Sequence, residues 1–263
     1  MTSPESGASN SLERSLKLLE IIGQTPGGLS NKDISRKLRI ATSSTSYILK
    51  RLEREGYVNR REDGRYEIGL KVLSLASGAL RELGFHHSAA PVLHPLTHTT
   101  QLSSYVGVLE CGRLLVVEQV ESPEFIRPET DLGTEHPAYS TAMGKMLLAR
   151  LPEAALDALL ESGELTRRTP NTIVSKSRLK EELRQIQRAG FALSEQEEFV
   201  GVRALAAPIP EKDGSVYASV AVAGPATFPA WGNLRELIAM VQVAGHDIAR
   251  NTWDRASRHS SKY

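Results

Sequence analysis

Thr42, Ser43, Ser44, Thr45 and Tyr47 crowd the start of one apolar-periodic run, and Lys50 and Arg51 follow within its next turn. Hydroxyls placed there can donate to and accept from base edges or phosphate oxygens. Ammonium and guanidinium groups one turn later suit phosphates. Three further cations, Arg60, Arg61 and Arg65, bracket an Asp63-Gly64 pair. From Lys32 to Arg65 there are 10 Lys+Arg against 5 Asp+Glu, whereas the whole chain has a net charge of +1. These side chains offer the chemistry of a surface that meets duplex nucleic acid. A solvated helix face is the plainer account of the charge alone, and Thr42 or Ser43 is also a natural helix cap.

Such side chains need elements to hold them. Ser30 followed by Asp33 resembles a capping box, with Asp where Glu or Gln is usual. Ile34 and Leu38 then share one helix face. Arg39-Ile40-Ala41 forms the turn, and Ile48, Leu49 and Leu52 carry a longer helix towards Gly56. Tyr57-Val58 and Tyr66-Glu67-Ile68 flank Asp63-Gly64, the strongest short hairpin signal in the chain. Helix, turn, helix and wing is a device for laying one helix in the major groove. Upstream, Leu12, Leu16, Leu19 and Ile22 mark a support helix, closed by Thr25-Pro26-Gly27-Gly28. Downstream, Leu70–Leu83 is amphipathic. It reads either as a linker helix that pairs with its copy in a dimer or as an ordinary surface helix.

The remainder predicts a separate α+β domain. Helical patterns cover Ser88–Gln101, Ser140–Arg150, Pro152–Leu160, Ser175–Ala189 and Ala230–Arg250. A hairpin is expected around Glu110-Cys111-Gly112-Arg113, and strands at Phe191–Ser194, Ala204–Ile209 and Val216–Ala223. Ser122–Pro137 reads as a long polar loop. The expected fold is a winged helix-turn-helix over 11–69, a linker helix over 70–84, and a domain over 85–251 with an antiparallel sheet of about six strands. Residues 1–10 and 252–263 read as polar tails. From Met1 to Gly69 the count is 12 Lys+Arg against 9 Asp+Glu; from Leu70 onward it is 20 against 22, so the positive charge sits on the first module.

Other reactive side chains do not assemble into a site. His94 and His98 stand at i, i+4, with His86 and His87 upstream, but no Cys or carboxylate completes a metal set. Glu195, Glu197 and Glu198 offer acid–base chemistry, though a solvated acidic edge is the simpler reading. There is no G-x-S-x-G elbow, P-loop or G-x-G-x-x-G, so no cofactor and no catalysis are expected. An enzyme with a DNA-binding module, acting on a small organic acid, is the alternative. A protein-interaction module without DNA is disfavoured by the Lys/Arg excess. The single Cys111 excludes an internal disulfide framework. With no apolar leader and no membrane-length apolar run, the expected compartment is the cytoplasm.

From about Ser11 to Arg250 the chain resembles the IclR-type transcriptional regulators. The resemblance rests on Glu55-Gly56-Tyr57-Val58, Gly64-Arg65-Tyr66-Glu67-Ile68-Gly69, Glu118-Gln119-Val120-Glu121-Ser122-Pro123, the Thr141–Ala149 segment, Gly201–Ile209 and Val222-Ala223-Gly224-Pro225. It implies a DNA operator, a small-molecule effector and assembly as dimers or dimers of dimers, with repression commoner than activation and catabolic operons as frequent targets. Family members often have Lys at the place of Thr42 and Arg at that of Tyr47, so two charged contacts are missing here. The resemblance places the effector near Ala142, Met143, Ser194, Ala204, Ala221 and Ala223. Ala204 replaces a usual Cys, and Ala221 and Ala223 replace carboxylate-binding serines of some relatives. Residues 221 and 223 share one strand face, and free N–H groups at a helix start favour an anion. Tyr105 and Tyr139 can add aromatic walls, and His136-Pro137-Ala138-Tyr139 resembles members that sense aromatic acids. The expected effector is therefore an aromatic or other medium-sized carboxylic acid. Core packing is the competing account of Met143, Ala204 and Ala221.

Overall fold

The computed structural model describes residues 11–83, 88–125 and 130–260. The chain divides into two compact units, Met1–Glu82 and Leu83–Tyr263.

The first unit holds α1 (Ser11–Gly23), α2 (Asn31–Leu38), α3 (Thr42–Arg54), β1 (Val58–Arg60), β2 (Tyr66–Ile68) and α4 (Lys71–Leu83). Ser30 caps α2 by accepting from the Asp33 amide, as its spacing predicts. Its hydroxyl also donates to the Asp33 carboxylate at 2.6 Å. Arg39 closes α2 in the left-handed region (φ 54°), which turns the chain sharply into α3. One apolar cluster ties the unit together: Leu18, Ile22, Leu29, Ile34, Ile48, Leu49, Val58 and Tyr66. Leu29 also bridges Tyr66, so the segment before α2 adds an edge to the β1–β2 ribbon. The core-facing stripe of α1 is Leu18 and Ile22; Leu12 and Leu16 point outward at 63% and 53% exposure.

The second unit is a six-stranded antiparallel sheet of order β5-β4-β3-β8-β7-β6. Its strands are β3 (Ser103–Glu110), β4 (Arg113–Val120), β5 (Glu135–Pro137), β6 (Ala192–Glu195), β7 (Val202–Pro210) and β8 (Val216–Pro225). On one face lie α5 (Ala90–Thr100) and α9 (Leu234–Ser260). On the other lies α6 (Ala142–Leu148), backed by α7 (Glu153–Ser162) and α8 (Lys176–Ala189). Alternation of side chains assigns the two faces. Ser104 of β3 bonds Thr97 of α5 at 2.6 Å. Tyr105, one residue on, joins the cluster around α6. At Gly245 of α9 a Cβ would stand 2.3 Å from the Pro208 carbonyl oxygen, so only glycine lets helix and sheet approach this closely.

Three expectations change. The supposed polar loop over Ser122–Pro137 contains the sixth strand, β5, which pairs Leu114 with His136. Its three residues are too few for a periodic signal. The closing helix starts at Leu234, after a 3-10 turn at Pro229–Asn233, and runs to Ser260 through the expected polar tail. The histidines His86 and His87 lie outside the described residues, and His94 and His98 are exposed on α5. No helix among the described residues is long and apolar enough to cross a membrane.

Candidate nucleic-acid surface and small-molecule cavity

The α3 helix presents one polar face to solvent. Thr42, Ser43, Ser44, Tyr47, Lys50 and Arg51 are exposed on it, and Arg60, Arg61 and Arg65 are exposed on the wing. The structure removes Thr45 from this set. Thr45 is fully buried, and its hydroxyl donates to the Ala41 carbonyl at 3.2 Å. It lies three residues before Ile48 and four before Leu49, on the core side of the helix. Neither Thr42 nor Ser43 caps α3. The cap position is Ala41, with no side-chain bond. The Thr42 hydroxyl instead lies 3.2 Å from that of Ser35, and Asn31 reaches the Thr42 carbonyl at 3.4 Å and Ser46 Oγ at 3.3 Å. These contacts fix the angle between α2 and α3.

The cations differ in readiness. The Arg51 guanidinium stacks over the Tyr47 ring at 4.7 Å, which pre-sets its direction. On the wing, Asp63 organises the turn by accepting from the Arg65 amide at 3.1 Å. Arg61 pairs with Glu67 at 3.4 Å, and Arg65 lies 3.8 Å from Asp63. Exposed pairs of this kind are weak and exchange readily for a phosphate.

In the second unit a cavity of about 440 Å³ opens between the sheet and the start of α6. Seven of the eight residues expected at an effector site line it: Tyr105, Ala142, Met143, Ser194, Ala204, Ala221 and Ala223. Tyr139 does not. Its hydroxyl donates to the Thr166 carbonyl and accepts from the Thr166 amide, both at 2.9 Å, so its ring braces the following loop. The sheet contributes small side chains from adjacent strands, since Ala204 pairs with Ala223 and Ala206 with Ala221. Thr141 caps α6 by accepting from the Gly144 amide. A Cβ on Gly144 would meet the Ala138 carbonyl oxygen at 2.3 Å, so glycine allows the helix start to press onto the preceding 3-10 turn.

Sequence reasoning missed the polar wall. His136, Glu198, Phe125 and Phe199 also line the cavity. Glu197 and Glu198 are not a solvated edge: they are 5% and 7% exposed. The Ser140 hydroxyl donates to Glu198 Oε2. Glu198 Oε1 lies 3.2 Å from Arg168 Nη2 and 3.7 Å from His136 Nδ1. Burial pushes the Glu198 carboxyl up, but the contacts with His136, Ser140 and Arg168 outweigh it and hold the group below its ordinary value. Glu197 faces the other way, onto the fully buried Lys145, which also pairs with Glu182. There burial outweighs the lysine's pull, and the Glu197 carboxyl is pushed up. The Glu197 backbone carbonyl accepts from Thr172 at 2.7 Å. The sequence signals for this wall are the Glu-Glu run in a turn-rich segment and His136 in the His136-Pro137-Ala138-Tyr139 stretch.

Comparison with known proteins agrees with the two-part architecture. The model of the bacterial transcriptional regulator IclR C-terminal domain matches residues 77–250, and the IclR helix-turn-helix domain matches residues 11–62. The chain is similar to the HTH-type transcriptional regulator XynR of Escherichia coli, 30% identical over 213 residues, 81% of this chain and 84% of that protein. It is similar to the transcriptional repressor IclR of Escherichia coli, 27% identical over 250 residues, 94% of this chain and 91% of that one. Among solved structures, an IclR homologue from Microbacterium hydrocarbonoxydans, complexed with 4-hydroxybenzoate, superposes with a TM-score of 0.83. It is 20% identical and covers 93% of this chain and 100% of its own, a likeness of fold.

Proposed function

The chain belongs to the IclR family of bacterial transcriptional regulators, and from that premise we propose that it represses a catabolic operon and responds to a small aromatic carboxylic acid. The observation that carries the reading is the pairing, in one chain, of an exposed hydroxyl-rich face on α3 with a 440 Å³ cavity in a separate unit. Ser43, Ser44 and Tyr47 are the base readers, with Thr42 beside them; Lys50, Arg51, Arg60, Arg61 and Arg65 hold phosphates. The whole-length likeness to the repressor IclR supports repression.

The cavity lies within the size range of small-molecule sites. Alanines at 204, 221 and 223 make its sheet wall apolar and leave room for a ring beside Tyr105. A two- or three-carbon keto acid leaves most of that space unfilled. The 4-hydroxybenzoate complex of the Microbacterium protein supports an aromatic acid. The sheet alanines, Met143 and Ser194 are the contacts of this effector.

A reader helix covers one half-site, so the working unit is a homodimer or a dimer of dimers on a double-stranded operator. Leu70 and Leu73, at 81% and 63% exposure and three residues apart at the start of α4, support pairing through that helix. An isolated helix of this length is marginal in water, and a second copy would cover its leucines. Effector binding regulates by favouring one dimer geometry over another.

A gel shift with the full chain on the DNA upstream of its own gene, repeated with aromatic acids, tests the proposal. Sequence-specific binding that an aromatic acid weakens is the expected result. Binding indifferent to sequence, or a response to glyoxylate or pyruvate alone, sinks it.

A further inference from the structure

Helix α8 carries five Lys+Arg against two Glu, although the chain from residue 70 onward has 20 Lys+Arg against 22 Asp+Glu. Leu179, Leu183 and Ile186 bury one of its faces against the cluster around α6. Lys176, Lys180, Arg184 and Arg188 follow one another at i, i+4 along the rest. At 1.5 Å per residue they form a ridge about 18 Å long. Acids balance part of this charge. Lys180 pairs with Asp157 of α7 at 2.5 Å, and Glu182 pairs with the buried Lys145. Glu181 is the one carboxylate of the helix that is exposed. Lys176, Arg178, Arg184 and Arg188 are exposed too, and none of them has an ion pair among the described residues.

This charge works against the helix that bears it. Like charges at i, i+4 repel, and the ridge sets its four cations in succession at that spacing. Lys176 and Arg178 stand in the first turn, where the helix dipole disfavours cations and no acid offsets them. A surface that breaks two local rules, with only Lys180 compensated, points to a partner. The partner's chemistry follows from what the ridge lacks. Protein interfaces place apolar and aromatic side chains at their centre. Besides its cations, α8 exposes only Ser177, Glu181, Gln185, Gln187 and Ala189. Such a face suits a polyanion of evenly spaced charge that brings no apolar surface to cover, which describes the phosphate backbone of a duplex. The ridge can be weak by itself, because a chain already held on DNA by another surface meets phosphates at a high effective concentration.

Resting on the reading of the first unit as a duplex binder, we infer that α8 is a second DNA surface, one that holds backbone phosphates without regard to base sequence. Lys176, Arg184 and Arg188 are its charged contacts, with Arg178 beside the helix start.

Fluorescence anisotropy of the full chain on a labelled random-sequence duplex of about 40 base pairs, from about 50 to about 300 mM KCl, tests this. Lys176→Gln, Arg184→Gln and Arg188→Gln together are expected to lower the slope of log affinity against log salt by roughly 2 to 3, at about 0.9 per phosphate contact. Glutamine is a good helix former, and circular dichroism checks that the helix is kept. Should the triple variant lose helicity, Arg184→Gln with Arg188→Gln decides, with a drop of roughly 2 expected. A control that removes the same charge from exposed positions elsewhere in the second unit, Lys212→Gln, Arg235→Gln and Arg250→Gln, is expected to leave the slope nearly unchanged. An unchanged slope in the ridge variant, or an equal drop in the control, overturns the inference. So does a lower particle mass in light scattering without a change of slope, which would make the ridge a contact between copies. Arg51→Ala separates the two readings. If it lowers the slope and the ridge variant does not, α8 alone is misassigned. If the ridge variant lowers the slope and Arg51→Ala does not, α8 binds duplex and the reading of α3 falls.

Discussion

Lys145 Nζ lies 2.5 Å from Glu197 Oε1 with the lysine side chain wholly buried, while the very next residue, Glu198, faces the cavity. One buried ion pair beneath α6 thus fixes the loop that supplies the polar wall. Breaking such a pair leaves an uncompensated charge and costs roughly 3–5 kcal/mol. Lys145→Met should lower the unfolding free energy by that order, and Lys145→Met combined with Glu197→Leu should recover part of it. Urea unfolding of the three proteins checks this; a double variant less stable than the single one contradicts the pairing.

The two neighbouring glutamates should respond to acid in opposite directions. Glu198 is held below its ordinary value of 4.5, so its contribution is complete above that value and is lost as pH falls through the lower folded one. Relative to Glu198→Gln, the unaltered protein should lose its advantage as pH drops below 4.5. Glu197 is held above 4.5, so its ionisation weakens the fold near neutrality. Relative to Glu197→Gln, the unaltered protein should gain stability as pH falls from above 4.5 towards it. Denaturation from pH 7 to 3 reads both slopes, and slopes of the same sign would refute the assignment.

On α3, adjacent residues should separate cleanly. Ser44→Ala should change which operator bases are preferred, because Ser44 is exposed. Thr45→Ala should leave base preference intact and lower stability, because Thr45 is buried. Arg51→Ala should weaken binding to all sequences and reduce the salt slope by about one phosphate contact. Gel shifts over an operator panel at several salt concentrations distinguish these; identical behaviour of Ser44→Ala and Arg51→Ala would show that neither reads bases.

The exposed leucines at the start of α4 give an assembly test. Leu70→Glu with Leu73→Glu should shift the particle mass towards the monomer in light scattering and abolish high-affinity operator binding. Helicity and cavity-ligand binding should persist. An unchanged mass would remove α4 from the proposed interface.

Local patterns made the first unit readable from sequence. Ser30 and Asp33 start α2, Asp63-Gly64 turns the wing, and Ile48 and Leu49 mark the core face of α3, because caps, turns and helical periodicity act within a few residues. The same period places Thr45 inside, although its hydroxyl belongs by polarity with the exposed face. Seven of the eight cavity residues that the family resemblance implies line one cavity, and of these Ala221 and Ala223 share a face by strand alternation. Tyr139 escaped, since which way a residue in a 3-10 turn points depends on the Thr166 loop it braces.

The sequence by itself determined two modules, a basic winged helix-turn-helix and an α+β unit; the mostly apolar chamber on one sheet face was implied only by the family resemblance. Only the tertiary structure decided that chamber's polar wall. It brings His136 on β5, Ser140 before α6, Arg168 in a loop and Glu198 after β6 to one point, across 62 residues of chain. Charges that far apart in sequence leave no periodic trace. Burial then converts Glu197 and Glu198, the same residue type side by side, into groups of opposite behaviour, because each meets a different neighbour once water is excluded.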